Sequence, residues 1–145
     1  MILGVLLGGA LAALAQAADA PSPAPKWTAP EAERARANPV EGSPAVLLKG
    51  QALYQKHCAS CHGDKGKGDG PAEAYNVEKS PDITDRALQD RLTDGEILWK
   101  ITTGLRSGSD VIMPGIAQRV PSEEDRWKVV RFVRTLSAPL PSAAP

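Results

Sequence analysis

Large aromatic rings, cysteines and net charge are all scarce in this sequence. Of its 145 residues, 4% are aromatic and 2 are cysteines. Cys58 and Cys61 are too close in the sequence for a disulfide between them to hold a fold together, so the chain is not a disulfide scaffold. The 17 basic and 17 acidic side chains cancel, which argues against nucleic acid as a partner. A domain with so few large rings has difficulty building a core unless another group supplies apolar area.

Both cysteines belong to the pentapeptide Cys58-Ala59-Ser60-Cys61-His62. Two thiols at positions i and i+3 of a turn can each add to one vinyl group of a haem. The histidine that follows is then carried under the porphyrin, where a ring nitrogen can ligate iron. The spacing therefore indicates c-type haem attachment. A haem would also supply the apolar area that the composition lacks.

Three other interpretations of the two cysteines fit the sequence less well. A thioredoxin-like redox pair needs a βαβ context, whereas the pattern before the motif is helical and a glycine-rich loop follows it. A zinc site needs further cysteines, and His57 and His62 cannot both join these thiols in a tetrahedral site without strain. A structural disulfide would leave His62 without a role.

The first 44 residues precede the predicted domain. Residues 1–20 are interpreted as a signal peptide cut near Ala17 to Ala20, because an uncharged run rich in Leu and Ala ends in small residues. No Lys or Arg precedes this run, and a retained N-terminal anchor is the alternative, although the run is short for spanning a bilayer. Residues 21–44 are rich in Pro and Ala, which predicts a linker or a loosely packed arm. A disordered leader is the favoured interpretation for 21–37, and Trp27 is a candidate to pin part of the segment to the domain. The expected location is the periplasm, or the outer face of the inner membrane if the anchor is retained.

Three helices are predicted from capping residues and from apolar residues at helical spacing. Gly50 lies inside the first helix, where glycine costs stability unless another backbone comes close, so we expect a helix crossing there. Residues 105–121 are predicted to form a loop and residues 139–145 a disordered tail. The predicted N-caps are Ser43, Thr93 and Ser122, and Glu96 is expected to complete a capping box with Thr93.

Three further residues are candidates for the haem site. Met113 is the only methionine besides Met1; a methionine usually packs in a core, but here the iron needs a distal ligand, and His57 lies on the proximal side. Pro81 can return its backbone carbonyl to the free ring N–H of His62. Trp99 has two open interpretations, core packing or an indole N–H bonded to a haem propionate.

Residues 45–137 resemble class I cytochromes c, specifically the small bacterial monohaem ones. The resemblance implies an all-α fold of three to five helices around one covalently bound haem, with the domain spanning 45–138. In that family the first and last helices cross, near the positions of Gly50 and Phe132 here. The matching segments are Gly50 and Tyr54, Cys58 to His62, Gly66 to Gly70, Pro81 to Ile83, Thr93 to Glu96, Met113-Pro114, and Ser122 to Leu136.

The function that follows is one-electron transfer by an electron carrier that is not an enzyme. Cys58 and Cys61 hold one haem c, His62 is the proximal iron ligand and Met113 the distal one. The partners are redox proteins whose identity the sequence does not give, with membrane contact only if the N-terminal segment is retained. Two alternatives remain: a haem-bearing subunit of a larger respiratory or dehydrogenase complex, and an enzyme or gas sensor with an open iron site.

Overall fold

Helices supply most of the regular structure in the computed structural model, which describes residues 27–137. The predicted signal peptide (1–20) and tail (139–145) lie outside these residues. Within 27–137, no helix is both long enough and apolar enough to cross a membrane. The elements are α1 (Glu31–Arg34), α2 (Pro44–His57), α3 (Ala59–His62), a 3-10 turn (Glu73–Tyr75), α4 (Arg86–Arg91), α5 (Asp94–Thr103), β1 (Gly104–Ser107), β2 (Asp110–Pro114) and α6 (Glu123–Leu136).

The helical fold class predicted from the sequence is confirmed. The described part of the chain has six α-helical segments instead of three to five, because α1 and α3 are single turns of four residues each. Each of the three long helices begins at its predicted cap, where a side-chain hydroxyl oxygen accepts a backbone N–H two or three residues into the helix. These bonds join Val46 N to Ser43 Oγ (3.3 Å), Glu96 N to Thr93 Oγ1 (3.1 Å) and Asp125 N to Ser122 Oγ (3.2 Å).

The capping box expected at the start of α5 is only half formed. Thr93 accepts from the Glu96 backbone N–H, but the Glu96 carboxylate does not return to Thr93. It is buried, and it pairs with Lys100 Nζ at 3.1 Å and with Arg34 Nε at 3.6 Å. A buried carboxylate needs charged partners, and here they come from the same helix and from the segment before α2.

The first and last long helices cross at the predicted position. A Cβ atom on Gly50 would lie 2.1 Å from the Lys128 carbonyl oxygen and 3.0 Å from Phe132 Cβ. Only glycine therefore allows the backbones of α2 and α6 to come this close. One turn further along α2, the buried Tyr54 ring packs against Phe132 with centroids 5.2 Å apart. The core continues from this contact into the buried faces of α5 and α6.

Residues 27–43 form an arm that packs on α5 and α6, which fits the arm interpretation of this segment and not the disordered leader favoured for residues up to 37. Arg131 of α6 donates from Nε to the Val40 carbonyl (2.6 Å) and from Nη2 to the Asn38 carbonyl (3.2 Å). Asn38 Nδ2 in turn donates to the Trp127 carbonyl (3.1 Å). These bonds satisfy backbone groups that a proline-rich segment cannot pair within itself. Because they are long-range, no apolar period along the segment could reveal them.

The predicted loop over 105–121 contains a short β-hairpin. Strands β1 and β2 pair antiparallel, with Leu105 opposite Met113 and an irregularity between Leu105 and Arg106. Beyond the hairpin, the Ile116 N–H donates to the Ile101 carbonyl of α5 (2.9 Å). Strands of four and five residues are too short to show an alternating apolar pattern. The hairpin nevertheless fixes the segment that carries Met113 against the end of α5.

Candidate functional site

Two adjoining cavities lie between α2, α5, α6 and the hairpin. The larger one has a mainly apolar wall, to which α5 contributes Ile97 and Ile101 and α6 contributes Val129 and Val133. The smaller one is bordered by Cys61, and by Ile112 and Pro114 of β2. The two cavities share Cys58, His62, Ile101 and Met113. The residues predicted to attach and ligate a haem therefore meet where the cavities join.

The turn that carries the pentapeptide follows directly from α2. The Cys58 N–H donates to the Tyr54 carbonyl (2.8 Å) and closes α2, and the His62 N–H then donates to the Cys58 carbonyl (3.0 Å). Both thiols are free. Burial raises the pKa of the Cys58 thiol to about 12, so this group is protonated at neutral pH. The local helix geometry thus presents two unpaired thiols and one imidazole to the cavities.

The glycine-rich segment 63–70 wraps back over this turn. Gly68 and Gly70 donate their N–H groups to the carbonyls of His62 (2.9 Å) and Cys61 (3.1 Å). The buried Tyr54 hydroxyl donates to the Gly63 carbonyl (2.7 Å). These bonds hold the turn from the outside, which is a structural role for the loop.

His62 is partly buried, and burial lowers the pKa of its imidazole, while the charge of Glu73 and the nearby Pro81 carbonyl act in the opposite direction. A neutral imidazole keeps the lone pair that binds a metal ion. No group among residues 27–137 meets the ring Nδ1 with hydrogen-bond geometry. The ring therefore lies near the Pro81 carbonyl, but no hydrogen bond joins the two groups.

Gly68 explains how Pro81 approaches the turn. It has a φ of +69°, and a Cβ at this position would lie 2.3 Å from the Ser80 carbonyl oxygen and 3.2 Å from that of Pro81. Glycine is suited both to the left-handed backbone and to the close contact. Pro81 and His62 then border the same cavity, and the hydrogen bond between them stays a prediction.

Met113 lies on β2 instead of in a loop, and it borders both cavities together with His62. Its position depends on the hairpin, because Leu105 pairs with it on β1. Among residues 27–137, no group of three or more His, Cys, Asp or Glu side chains could hold a metal ion. Iron bound between an imidazole and a thioether would therefore need the further ligands that a porphyrin supplies.

Trp99 does not border either cavity. Its half-buried ring packs against Trp27 instead, with centroids 6.4 Å apart and planes tilted by 49°. Core packing is thus the interpretation that this contact favours, and the propionate bond of Trp99 stays a prediction.

Several residues that line the larger cavity were not among the candidates from the sequence. Trp27 of the arm and Lys100 of α5 both border it, with Lys100 Nζ 5.0 Å from the Trp27 ring centroid. Helical spacing could have identified Lys100, since it shares one face of α5 with Ile97 and Ile101. The sequence identified Trp27 only as a residue that could pin the segment to the domain, because nothing local in a proline-rich segment shows which cavity a ring will border.

The fold and the site together define a c-type cytochrome domain. The family model for cytochrome C oxidase, cbb3-type, subunit III, matches residues 45–133, which is more than half of the chain. The chain therefore belongs to this family of c-type cytochrome domains.

A solved structure supports the fold. It is described as the Kuenenia stuttgartiensis reducing HAO-like protein complex Kustc0457/Kustc0458, and its matching chain is 25% identical with a TM-score of 0.57. The match covers 69% of this chain and 47% of that one, so this chain spans less than half of its length. No curated protein matches. The family and this likeness support an electron-carrier role and imply a c-type haem.

Proposed function

We propose that this chain carries single electrons through one haem c that is bound covalently by Cys58 and Cys61. His62 and Met113 would hold the iron from its two sides. The observation that carries the proposal is that two free thiols, an imidazole and a thioether all border one pair of joined cavities. Imidazole with thioether is the ligand pair of cytochromes c.

The side chains around the cavities would tune the site. The apolar wall from α5 and α6 excludes water, which disfavours the more highly charged state of a bound metal. The Pro81 carbonyl is placed to accept a hydrogen bond from His62 Nδ1, which would fix the ring orientation and leave Nε2 for the iron. When bound, the haem supplies a couple between ferrous and ferric iron. With two protein ligands in place, no iron position stays open to a substrate, so we propose a carrier and not an enzyme.

A second candidate is a haem-bearing subunit of a larger complex. It is favoured because the matching family is named for an oxidase subunit and the similar structure is described as a complex. Both candidates share the same haem site and redox protein partners. Affinity purification of the tagged chain from its native membranes and periplasm would separate them: a stoichiometric partner supports the subunit, and a free monomer supports the carrier.

Location in the periplasm is part of the proposal, since residues 1–20 have the composition of an export signal. Intact-mass measurement of the purified protein tests this together with attachment. We expect a mature chain that begins between Ala18 and Pro21 and has gained the mass of one haem. A chain that keeps Met1 in the membrane fraction would support the anchor, and a mass without haem would contradict the proposed function.

Replacement of Met113 tests the distal ligand. Met113→Ala should abolish the sulfur-to-iron charge-transfer band of the ferric protein and lower the midpoint potential, because thioether ligation raises it. It should also let carbon monoxide bind the ferrous protein, while both cysteines keep the haem attached. Ile112→Ala is the matched control, since Ile112 is the neighbour of Met113 on β2 and borders only the smaller cavity. A parent protein that already binds carbon monoxide readily would indicate an open iron site instead.

A further inference from the structure

The polar side chains of the larger cavity differ in whether their hydrogen-bonding groups are already used. Gln89 donates to the Ile83 carbonyl (2.8 Å), and its Oε1 accepts from Arg134 Nη1 (2.9 Å). The Tyr54 hydroxyl donates to the loop over the pentapeptide. Besides these two side chains, and apart from Cys58 and His62, which the proposed function already uses, the donors of residues 27–137 that border this cavity and keep unused N–H groups are the Trp27 indole and the Lys100 ammonium.

The Trp27 indole N–H is buried and has no hydrogen-bond partner among residues 27–137. An indole can only donate, and a donor removed from water without an acceptor costs free energy. An acceptor at this position would therefore stabilise the protein. Trp27 borders the larger cavity, so a group that fills this cavity would lie next to the Trp27 ring.

Lys100 adds a positive charge next to this donor. Its side chain is only 18% exposed, and its ammonium is 3.1 Å from the Glu96 carboxylate and 5.0 Å from the centre of the Trp27 ring. An ammonium has three N–H donors and no acceptor. The bond to Glu96 leaves donors of Lys100 available over the face of the Trp27 ring.

We propose that Trp27 and Lys100 together bind one propionate carboxylate of the haem. This inference rests on the proposed function, because it requires the haem to fill the larger cavity. A carboxylate is the polar group that a haem would bring into a mainly apolar space, and it supplies the acceptor that the indole lacks. An N–H donor beside an ammonium suits one ionised carboxylate. Trp27 takes the role that the sequence had left open for Trp99, whose ring lies outside the cavity.

The arm is then a part of the haem site. Trp27 begins the described segment that continues through α1 to α2, and its bond to the carboxylate would add to the contacts of Asn38 and Val40 with α6. The haem and the arm would therefore stabilise each other.

The test measures the midpoint potential of the haem-loaded protein as a function of pH. Donors that bind the ionised carboxylate lower its pKa. The midpoint potential changes with pH over the range in which the propionate ionises, so this range reports the pKa of the propionate. In Trp27→Phe and in Lys100→Met, the pH range over which the midpoint potential changes should move to higher pH. The expected move in Lys100→Met is roughly one pH unit or more. Trp99→Phe is the matched variant and should leave the range in place.

Nitrogen-15 labelling of the indole groups provides a second readout in the reduced protein. We expect the signal missing from Trp27→Phe to be the one that exchanges slowly with solvent and shifts with pH in step with the potential. If Trp99→Phe moves the titration and Trp27→Phe does not, the propionate bond belongs to Trp99 and the inference is wrong. A haem-loaded Trp27→Phe protein with an unchanged titration overturns this inference alone, whereas a chain that attaches no haem overturns the proposed function as well.

Discussion

The crossing of α2 and α6 at Gly50 gives a sharp prediction about stability. Gly50→Ala adds a single methyl group, which would lie 2.1 Å from the Lys128 carbonyl oxygen. This oxygen belongs to the backbone of α6 and cannot rotate away, so the two helices must move apart. The pair formed by Tyr54 and Phe132 lies one turn away and would loosen with them.

Two effects of opposite sign decide how much Gly50→Ala changes the free energy of unfolding. Replacing glycine by alanine inside a helix stabilises it by about 1 kcal/mol. Overpacking a close contact costs roughly 1–3 kcal/mol, and the upper part of this range applies because the obstructing atom is backbone. We therefore expect Gly50→Ala to lower the free energy of unfolding by about 1–2 kcal/mol. For a domain of about 100 residues, this corresponds to a fall in Tm of at least about 4 °C.

Thermal and urea unfolding of the haem-loaded ferric proteins, followed by circular dichroism, would measure the change. Gln51→Ala is the control, since Gln51 is the exposed neighbour on the same helix, and it should change stability by less than about 0.5 kcal/mol. A Gly50→Ala protein as stable as the parent, or more stable, would show that helix propensity outweighs the contact and would refute the reasoning.

Three other predictions concern contacts that hold the site and the arm. Tyr54→Phe removes one of the two donors to the Gly63 carbonyl and leaves the Gly66 N–H, so urea unfolding should show a loss of roughly 0.5–1.5 kcal/mol; an unchanged midpoint would show that the hydroxyl bond does not stabilise the fold. Arg134→Met leaves several acceptors around α4 unpaired and should cost roughly 1–3 kcal/mol by the same measurement, unless α4 rearranges without loss. The hydrogen bond from Arg36 holds the pKa of Glu123 below its usual value, so this contact stabilises fully above about pH 4.5 and its contribution is lost as the pH falls through the lowered pKa. Protection factors for amide exchange over residues 29–40, corrected for the intrinsic pH dependence of exchange, should fall on acidification in the parent and less so in Glu123→Gln, and equal pH dependence in both would contradict this.

Local chemistry explains what could be predicted from the sequence. The pentapeptide fixes its own spacing because its thiols and imidazole lie within one turn, so the haem was evident from five residues. The caps at Ser43, Thr93 and Ser122 were predictable for the same reason, since each bonds to a backbone group three residues away. Gly50 was informative because glycine inside a helix has a cost that only a close contact offsets.

Long-range contacts explain what the sequence left undetermined. Whether residues 27–43 form a linker or a packed arm stayed open, because their hydrogen bonds reach residues of α6 about 90 positions away and leave no local pattern. Met113 was placed in a loop, because strands of this length have no visible period. Which tryptophan borders the cavity depends on how the arm packs across α5. This packing is a contact between segments that are far apart in the sequence. The sequence by itself thus determined the order of two thiols and an imidazole that predicts a c-type haem, because these groups lie within one turn, while only the tertiary structure decided which side chains border the cavities next to them.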